Sequence, residues 1–208
     1  MIDVNWLLFV AASLVLIVTP GQDMILVMSR SIAQGAGAGL ATAAGVCSGL
    51  LVHTAVAALG LGALIRTSEW LYLGLQIIGA LYLARLGLQL LRAPQQPLAL
   101  GAGGLRRPGR LFLDGALSNI CNPKIAVFYL AFLPQFVAPG ASHAMLSLFA
   151  LGIAFALLAL MVKGPIGLGA AALSGWLRAH PASLVWLFRS SGVVLLALGV
   201  QLALQRPL

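Results

Sequence analysis

The chain has 208 residues, of which 61% are hydrophobic and only 8% are charged. An ordinary soluble domain carries about 25% charged residues, so this chain cannot cover a soluble fold with a polar surface. The composition therefore excludes a globular cytosolic enzyme, a nucleic-acid-binding module and a disordered tail. The net charge of +8 is spread between apolar runs, as in the loops of a membrane protein, whereas nucleic-acid binding requires a clustered basic patch.

Six apolar runs follow one another along the chain, each long enough to cross a hydrocarbon core about 30 Å thick. The sequence predicts an all-α membrane protein, a single transmembrane domain over residues 1–208. Its helices are predicted at residues 5–28, 38–64, 70–91, 111–137, 144–172 and 184–205. The fifth run is long, and Gly164-Pro165 within it predicts a tilt or a break. The N-terminus lacks the positive region of a secretory signal, so we expect the first run to be retained as a spanning helix.

The distribution of Lys and Arg predicts the orientation in the membrane, because basic residues concentrate in cytoplasmic loops. The side that holds both termini has two arginines, Arg66 and Arg206. The opposite side has seven, which are Arg30, Arg92, Arg106, Arg107, Arg110, Arg178 and Arg189. Both termini are therefore predicted to face away from the cytoplasm. The connection at about residues 93–110 is predicted to be a cytoplasmic linker between halves at about 1–92 and 111–208.

Two prolines at equivalent positions indicate an internal repeat. Pro20 interrupts the first predicted helix, and Pro123 interrupts the fourth, 103 residues later. Three helices per half would make the second half cross the bilayer in the opposite direction, and inverted halves with broken helices are common among secondary transporters. Polar backbone groups freed by proline must line a cavity or a partner. The sequence therefore predicts two inverted three-helix repeats, although two ordinary proline kinks could also match by chance.

Asp23, which follows Pro20-Gly21-Gln22, is the first candidate for chemistry. A charged residue at the centre of a spanning helix costs about 2.5–3.5 kcal/mol on insertion scales. A partly dry site favours the protonated carboxyl, so Asp23 is predicted to load and release a proton during transport. The alternative places Asp23 at the cytoplasmic interface, because a straight helix from Asp3 would already be about 30 Å long there. Gln22 is expected to face the bundle.

Lys124 and Asn122 flank Pro123 at the second break. Lys124 is predicted to neutralise Asp23 or to bind a substrate carboxylate, or else to reach the membrane surface. Asn122 is expected to hydrogen-bond a ligand or to cap the broken helix. Lys163 in the fifth run is interpreted as a substrate or proton group, as a counter-ion for Asp23, or as a structural charge inside the bundle. These alternatives stay open at this point.

His53 lies midway along the second run. A neutral histidine can relay protons, but a lone histidine more often bonds a neighbouring helix, and we favour the second interpretation. Gly45 and Gly49 predict close helix packing, either within a subunit or between the copies of a homodimer. Arg85 and Asp114 are expected to form a structural ion pair or to lie at the membrane interface.

Several motifs resemble the LysE/RhtB family of amino-acid exporters. They are Pro20-Gly21-Gln22-Asp23 with Ser29-Arg30-Ser31 and Gly35, Gly79-Ala80-Leu81-Tyr82-Leu83 with Gly87, Asn122-Pro123-Lys124 with Phe128 and Leu133-Pro134-Gln135-Phe136, and Ser191-Gly192 with Gly199. The resemblance covers essentially the whole chain, and the Asn-Pro-Lys and Leu-Pro-Gln-Phe pair is its most specific part. The chain departs from the family at Gln22, where the usual Pro-Gly-Pro motif has its second proline.

The resemblance implies a six-helix exporter of the bacterial inner membrane that expels amino acids or their derivatives, using the proton gradient. It implies that the broken first and fourth helices form the transport site. Its partners would be the small-molecule substrate, protons and the lipid bilayer, with no nucleic acid. Neither enzymatic activity with catalytic residues, nor a cofactor, nor a metal site is expected. The additional cation Lys163 would favour an acidic or zwitterionic substrate over a dicationic one.

Two other functions remain as alternatives. A membrane thiol–disulfide electron carrier would use Cys121, two residues before Pro123, but Cys47 lies in the second helix and the symmetric cysteine pair is missing. A metal-ion exporter would need several oxygen ligands, and of the four acidic residues only Asp23 is predicted near the site.

Overall fold

The structure is a computed structural model that describes residues 4–67, 69–92, 105–137 and 143–204. In these ranges the chain is helical, which confirms the all-α prediction. The helices are α1 (Trp6–Val18), α2 (Gln22–Gln34), α3 (Ala36–Thr67), α4 (Glu69–Leu91), α5 (Pro108–Ile120), α6 (Pro123–Val127), α7 (Ala144–Ala179) and α8 (Pro181–Leu204). A π-helical turn (Phe128–Phe132) and a 3-10 turn (Leu133–Phe136) continue α6.

The membrane spans are of two kinds. Four helices each contain a segment long and apolar enough to cross a bilayer, at Ala36–Gly60, Leu73–Leu91, Ala144–Ala170 and Val185–Leu204. The pair α1–α2 and the pair formed by α5 with Pro123–Phe136 each make one further span when their two members are counted together. Both pairs are bent by 52° at a short break. Counted in this way, the described residues form the six spans that the sequence predicts.

Several helix ends differ from the prediction. The first span continues beyond the predicted residue 28 to Gln34, where Gly35 adopts a φ of 90° that favours glycine and ends the helix. Of the tilt or break that the sequence predicts for the fifth span near Gly164-Pro165, the break does not occur, because α7 continues through Pro165. It ends at Ala179 because Pro181 disfavours helical backbone at the preceding residue.

The helix that follows the long connection begins earlier than predicted. Helix α5 starts at Pro108, so the linker predicted at 93–110 is shorter at this end. Proline suits the first position of a helix because its missing N–H has no partner to lose there. The predicted linker residues 93–104, like Asp3 and Arg206, lie outside the described residues.

Small residues bring α3 close to α5. A Cβ atom at Gly45 would collide with the main chain of Phe112, and one at Gly115 would collide with the carbonyl oxygen of Thr42. Gly49 faces Asn119 in the same interface. The close packing predicted from Gly45 and Gly49 therefore occurs within the subunit. It places α5 directly against the part of α3 that carries His53.

The first and fourth spans run antiparallel. At one end, Val4 forms an isolated β-bridge with Val137, so the start of α1 lies beside the end of the turns that follow α6. At the other end, the Gln34 side chain donates to the carbonyl oxygen of Arg106 at 2.9 Å and accepts its N–H at 3.0 Å. Because both pairs of ends meet, the two breaks come together in the interior.

Candidate functional site

The first break, between α1 and α2, is capped by the side chain of Lys124, which lies at the second break. In a continuous helix the N–H of residue 20 would donate to the carbonyl oxygen of Leu16, but Pro20 has no N–H. The ammonium group of Lys124 donates to Leu16 O at 2.9 Å and to Thr19 O at 3.2 Å. A cation also suits this position because carbonyl groups at a helix C-terminus carry partial negative charge.

The second break, between α5 and α6, has its own capping groups. The Asn122 side chain accepts the Lys124 N–H at 3.1 Å and so caps α6, with Pro123 at the first helical position. The carbonyl oxygen of Asn119, four residues before Pro123, accepts the N–H of Asn122 at 2.9 Å. It also accepts a bond of 3.1 Å from His53 Nε2. His53 thus bonds a neighbouring helix, as favoured from the sequence.

Asp23 lies where the two broken spans meet α7. It occupies the first turn of α2, where the helix dipole favours a carboxylate, and only 4% of its surface is exposed. Asn119 Nδ2 donates to Oδ2 at 2.7 Å, and Ser118 Oγ donates to Oδ1 at 3.3 Å. The buried ammonium of Lys163 lies 3.4 Å from Oδ2. The carboxylate is therefore paired and hydrogen-bonded inside the bundle.

A small cavity adjoins this ion pair. It offers about 20 Å³ to solvent, which is room for about one water molecule and far less than an amino acid needs. The cavity therefore has no room for a larger solute in this conformation, which we call closed. Its lining residues are Leu16, Ile17, Thr19, Gly21, Asp23, Met24, Asn122, Lys124, Ile125, Phe155 and Lys163.

The structure brings most of the predicted site residues together. The cavity is lined by Gly21, Asp23, Asn122, Lys124 and Lys163. The remaining four predicted residues surround it. Pro20 and Pro123 form the breaks themselves, and His53 Nε2 bonds the carbonyl oxygen of Asn119. The sequence predicts that Gln22 faces the bundle, but Gln22 is exposed, and its Nε2 donates to Ser118 Oγ at 3.2 Å. Lys124 binds main-chain carbonyl groups, whereas Lys163 is the ion-pair partner of Asp23.

Sequence reasoning missed two members of the site, Ser118 and Asn119. Both donate to Asp23 from a position 95 or 96 residues further along the chain, and only the meeting of the two breaks shows this. The available signal was local: these two polar residues directly precede the second break in an otherwise apolar run. Asn119 is fully buried, and its Oδ1 atom has no hydrogen-bond partner among the described residues.

Asp114, in the middle of α5, forms a separate ion-pair cluster. Its carboxylate contacts Arg106, lies 3.1 Å from Arg110 Nε, and lies 3.7 Å from Arg30 Nη2 of α2. Arg85 is exposed on α4. The expectation that Asp114 takes part in structural ion pairing therefore holds, with these three arginines as its partners.

Comparison with known proteins identifies the family. The model of the family described as LysE type translocator matches residues 14–206. The chain is 28% identical over 203 residues to an uncharacterized membrane protein of Pseudomonas aeruginosa, covering 94% of this chain and 93% of that protein. It is 34% identical to the homoserine/homoserine lactone efflux protein of Salmonella typhimurium, over 64% of this chain and 65% of that protein.

A further relative is the threonine efflux protein of Escherichia coli, which is 30% identical over 63% of this chain and 67% of that protein. The alignments to the efflux proteins thus span about two thirds of their length. No solved structure matches the chain. The family model, by contrast, spans both breaks and every residue that lines the cavity, and so covers the site as a whole. The chain belongs to the family of LysE type translocators, which are membrane transporters.

Proposed function

We propose that this protein exports amino acids or related small metabolites across the bacterial inner membrane by proton antiport. The observation that carries the proposal is the buried Asp23–Lys163 ion pair between two proline-broken spans. Broken helices provide the polar groups that bind substrates in many secondary transporters. Family membership and the efflux activity named for the threonine and homoserine relatives support the same class of substrate.

Asp23 is the proposed proton-binding residue. As a carboxylate it accepts hydrogen bonds from Ser118 and Asn119 and pairs with Lys163. Protonation would remove its charge and leave Lys163 without its anion inside the bundle, which is costly. The loaded protein would therefore favour a different arrangement of these helices. Binding of a proton on one side and its release on the other would couple that rearrangement to the proton gradient.

The two halves at about residues 1–92 and 111–208 are proposed to be inverted repeats that move relative to one another. The antiparallel course of the first and fourth spans and their equal bends of 52° support this. The packing of α3 against α7 and of α4 against α8 also pairs helices that would be equivalent in the two halves. Rocking of such halves around a fixed site gives alternating access.

The proposed orientation places both termini on the periplasmic side. Arg30, Arg106 and Arg110 gather at one end of the bundle, and basic residues of this kind favour the cytoplasmic side. The opposite end, where Val4 meets Val137, would then face the periplasm. Export would carry the substrate from the arginine-rich end to this one.

The charges at the site favour a zwitterionic substrate. Lys124 and Lys163 outnumber the single carboxylate of Asp23 among the residues that line the cavity. A substrate carboxylate would balance the additional positive charge, whereas a dicationic substrate would add to it. Of the two alternatives, the thiol carrier has Cys47 buried and Cys121 exposed, and the metal exporter has one acidic residue at the cavity; neither arrangement favours its candidate.

The proposal is tested by efflux from proteoliposomes loaded with radiolabelled amino acids, beginning with threonine and homoserine. An acidic exterior should accelerate efflux, and a protonophore should abolish the acceleration. Protein-free liposomes serve as the control. Efflux of every amino acid at the protein-free rate would overturn the proposal, and efflux that ignores the pH gradient would overturn the antiport.

A further inference from the structure

We propose that the carbonyl oxygens of Leu16 and Thr19 form the subsite for the primary ammonium group of the transported amino acid. In the closed conformation the Lys124 ammonium occupies this subsite. The inference deepens the proposed function and rests on it for the class of substrate. It concerns one group of the substrate and two main-chain atoms of the chain.

The chemistry of the two carbonyl groups fits an ammonium ligand. They lie at the C-terminal end of α1, which carries the equivalent of about half a negative charge. Both accept hydrogen bonds from the same nitrogen atom, Lys124 Nζ, at 2.9 and 3.2 Å. A substrate ammonium and a lysine ammonium have the same charge and three N–H donors each. The interactions that Lys124 makes are therefore available to the substrate as well.

The subsite opens on the proposed transport cavity. Leu16, Thr19 and Lys124 line it together with Asp23 and Lys163. A zwitterion in an enlarged form of this cavity could therefore reach the two oxygens of the first break without passing another helix. Its carboxylate would at the same time lie within the region that both lysines border.

A substrate ammonium can readily replace Lys124 at the two carbonyl oxygens, because the charge of Lys124 is poorly compensated there. Among the described residues Lys124 has neutral carbonyl partners and makes no ion pair, whereas Lys163 pairs with Asp23. A charge partly withdrawn from solvent, as the half-buried Lys124 ammonium is, is costly without a counter-charge. When a zwitterion enters, its ammonium would take the carbonyl groups, and its carboxylate would give the released Lys124 an anion. Each charge in the site is then paired, which selects substrates with a free primary amine.

The subsite can be tested without any transport assay. The Lys124→Ala variant, purified in detergent, should bind ethylammonium in place of the missing side chain. We expect a saturable rise of about 3 °C or more in the midpoint of thermal unfolding. Tetramethylammonium, which has no N–H donor, should give no rise. The matched control Lys124→Met fills the space with an apolar chain and should not respond to ethylammonium. No saturable difference between the two variants would overturn the inference.

A second variant covers the case in which Lys124→Ala does not fold. Adding Pro20→Ala supplies an N–H four residues after Leu16, which can satisfy its carbonyl oxygen within the helix. The double variant should regain folded yield and lose the response to ethylammonium. If neither Pro20→Ala nor ethylammonium during extraction recovers Lys124→Ala, the inference is wrong. If the wild-type protein exports amino acids but Lys124→Ala does not bind ethylammonium, the subsite alone is overturned. If Lys124→Ala binds ethylammonium but the wild-type protein exports no amino acid, the proposed function alone is overturned.

Discussion

At the scale of single residues, Asp23 is held by three side chains from two other helices, α5 and α7. Lys163 contributes the charge, and Ser118 and Asn119 contribute hydrogen bonds. In a buried pair of this kind, removal of one partner leaves the other charge uncompensated, whereas removal of both can be nearly neutral. The stability of the protein should therefore depend on the pair as a unit.

Lys163→Met should destabilise the protein by about 3–5 kcal/mol, because it leaves Asp23 without its ion-pair partner in the interior. The double variant Asp23→Asn/Lys163→Met should recover most of that loss. Denaturation of the detergent-solubilised protein, followed by circular dichroism, measures both. Arg85→Met, at an exposed position of α4, is the control. A double variant as unstable as Lys163→Met would show that the pair does not act in this way.

The sequence predicts the individual residues of the site better than their partners. Asp23, Lys124 and Lys163 can be identified from the sequence, because a charged residue in an apolar run costs free energy to place inside a membrane. The pairing of Asp23 with Lys163, and not with Lys124, depends on how α2, α5 and α7 meet, which a single sequence does not contain. The role of Asn119 was missed for the same reason.

At the scale of helices, two features organise the molecule: the breaks and the glycine contacts. The breaks were predictable because proline removes a backbone donor. The partners of the carbonyl groups at those breaks, Lys124 and His53, required the structure. The uninterrupted course of α7 through Pro165 shows that proline alone does not break a membrane helix, since neighbouring groups can satisfy its backbone.

Gly45→Ala should destabilise the protein by about 1–3 kcal/mol, because the added methyl group meets the main chain of Phe112, which cannot move as a side chain does. Gly74→Ala should be neutral or stabilising by up to about 1 kcal/mol, because nothing lies within 4 Å of the new atom. Both variants change helix propensity in the same way, so the difference between the midpoints of thermal unfolding of Gly45→Ala and Gly74→Ala measures the effect of packing. Equal midpoints would argue against a close contact between α3 and α5.

Asp114→Asn should lower the midpoint of thermal unfolding, with a larger effect at low ionic strength. The carboxylate separates three guanidinium groups, those of Arg30, Arg106 and Arg110, and without it they repel one another. Salt screens repulsion between partly exposed charges. The difference from the wild type should therefore shrink between about 0.05 and about 0.5 M sodium chloride, because the Debye length falls to about a third over this range. A loss of stability that does not change with salt would contradict this electrostatic role.

At the scale of the whole molecule, composition and hydropathy are sufficient to predict six spans and the class of fold. The ends of the spans were less predictable, because Gly35 and Pro181 end the helices through backbone conformation and not through hydropathy. The antiparallel meeting of the first and fourth spans agrees with the inverted arrangement proposed from the spacing of Pro20 and Pro123.

Cysteine labelling should verify the proposed orientation. In a Cys47→Ser/Cys121→Ser background, Leu105→Cys should react with a membrane-impermeant thiol reagent only in inside-out vesicles. His143→Cys should react only in right-side-out vesicles, because it follows the fourth span at the other end. Retained efflux in the same cysteine-free background would also argue against a thiol–disulfide carrier. Labelling of the two positions in the opposite vesicles would show that the proposed orientation in the membrane is wrong.

The central claim is that Asp23 couples substrate movement to the proton gradient. Asp23→Asn should be compared with the wild type in proteoliposomes by two assays, exchange of labelled against unlabelled substrate at equal pH, and efflux driven by a pH gradient. We predict that the variant retains exchange and loses the acceleration by the gradient. Gradient-driven efflux at the wild-type rate in Asp23→Asn would contradict the account.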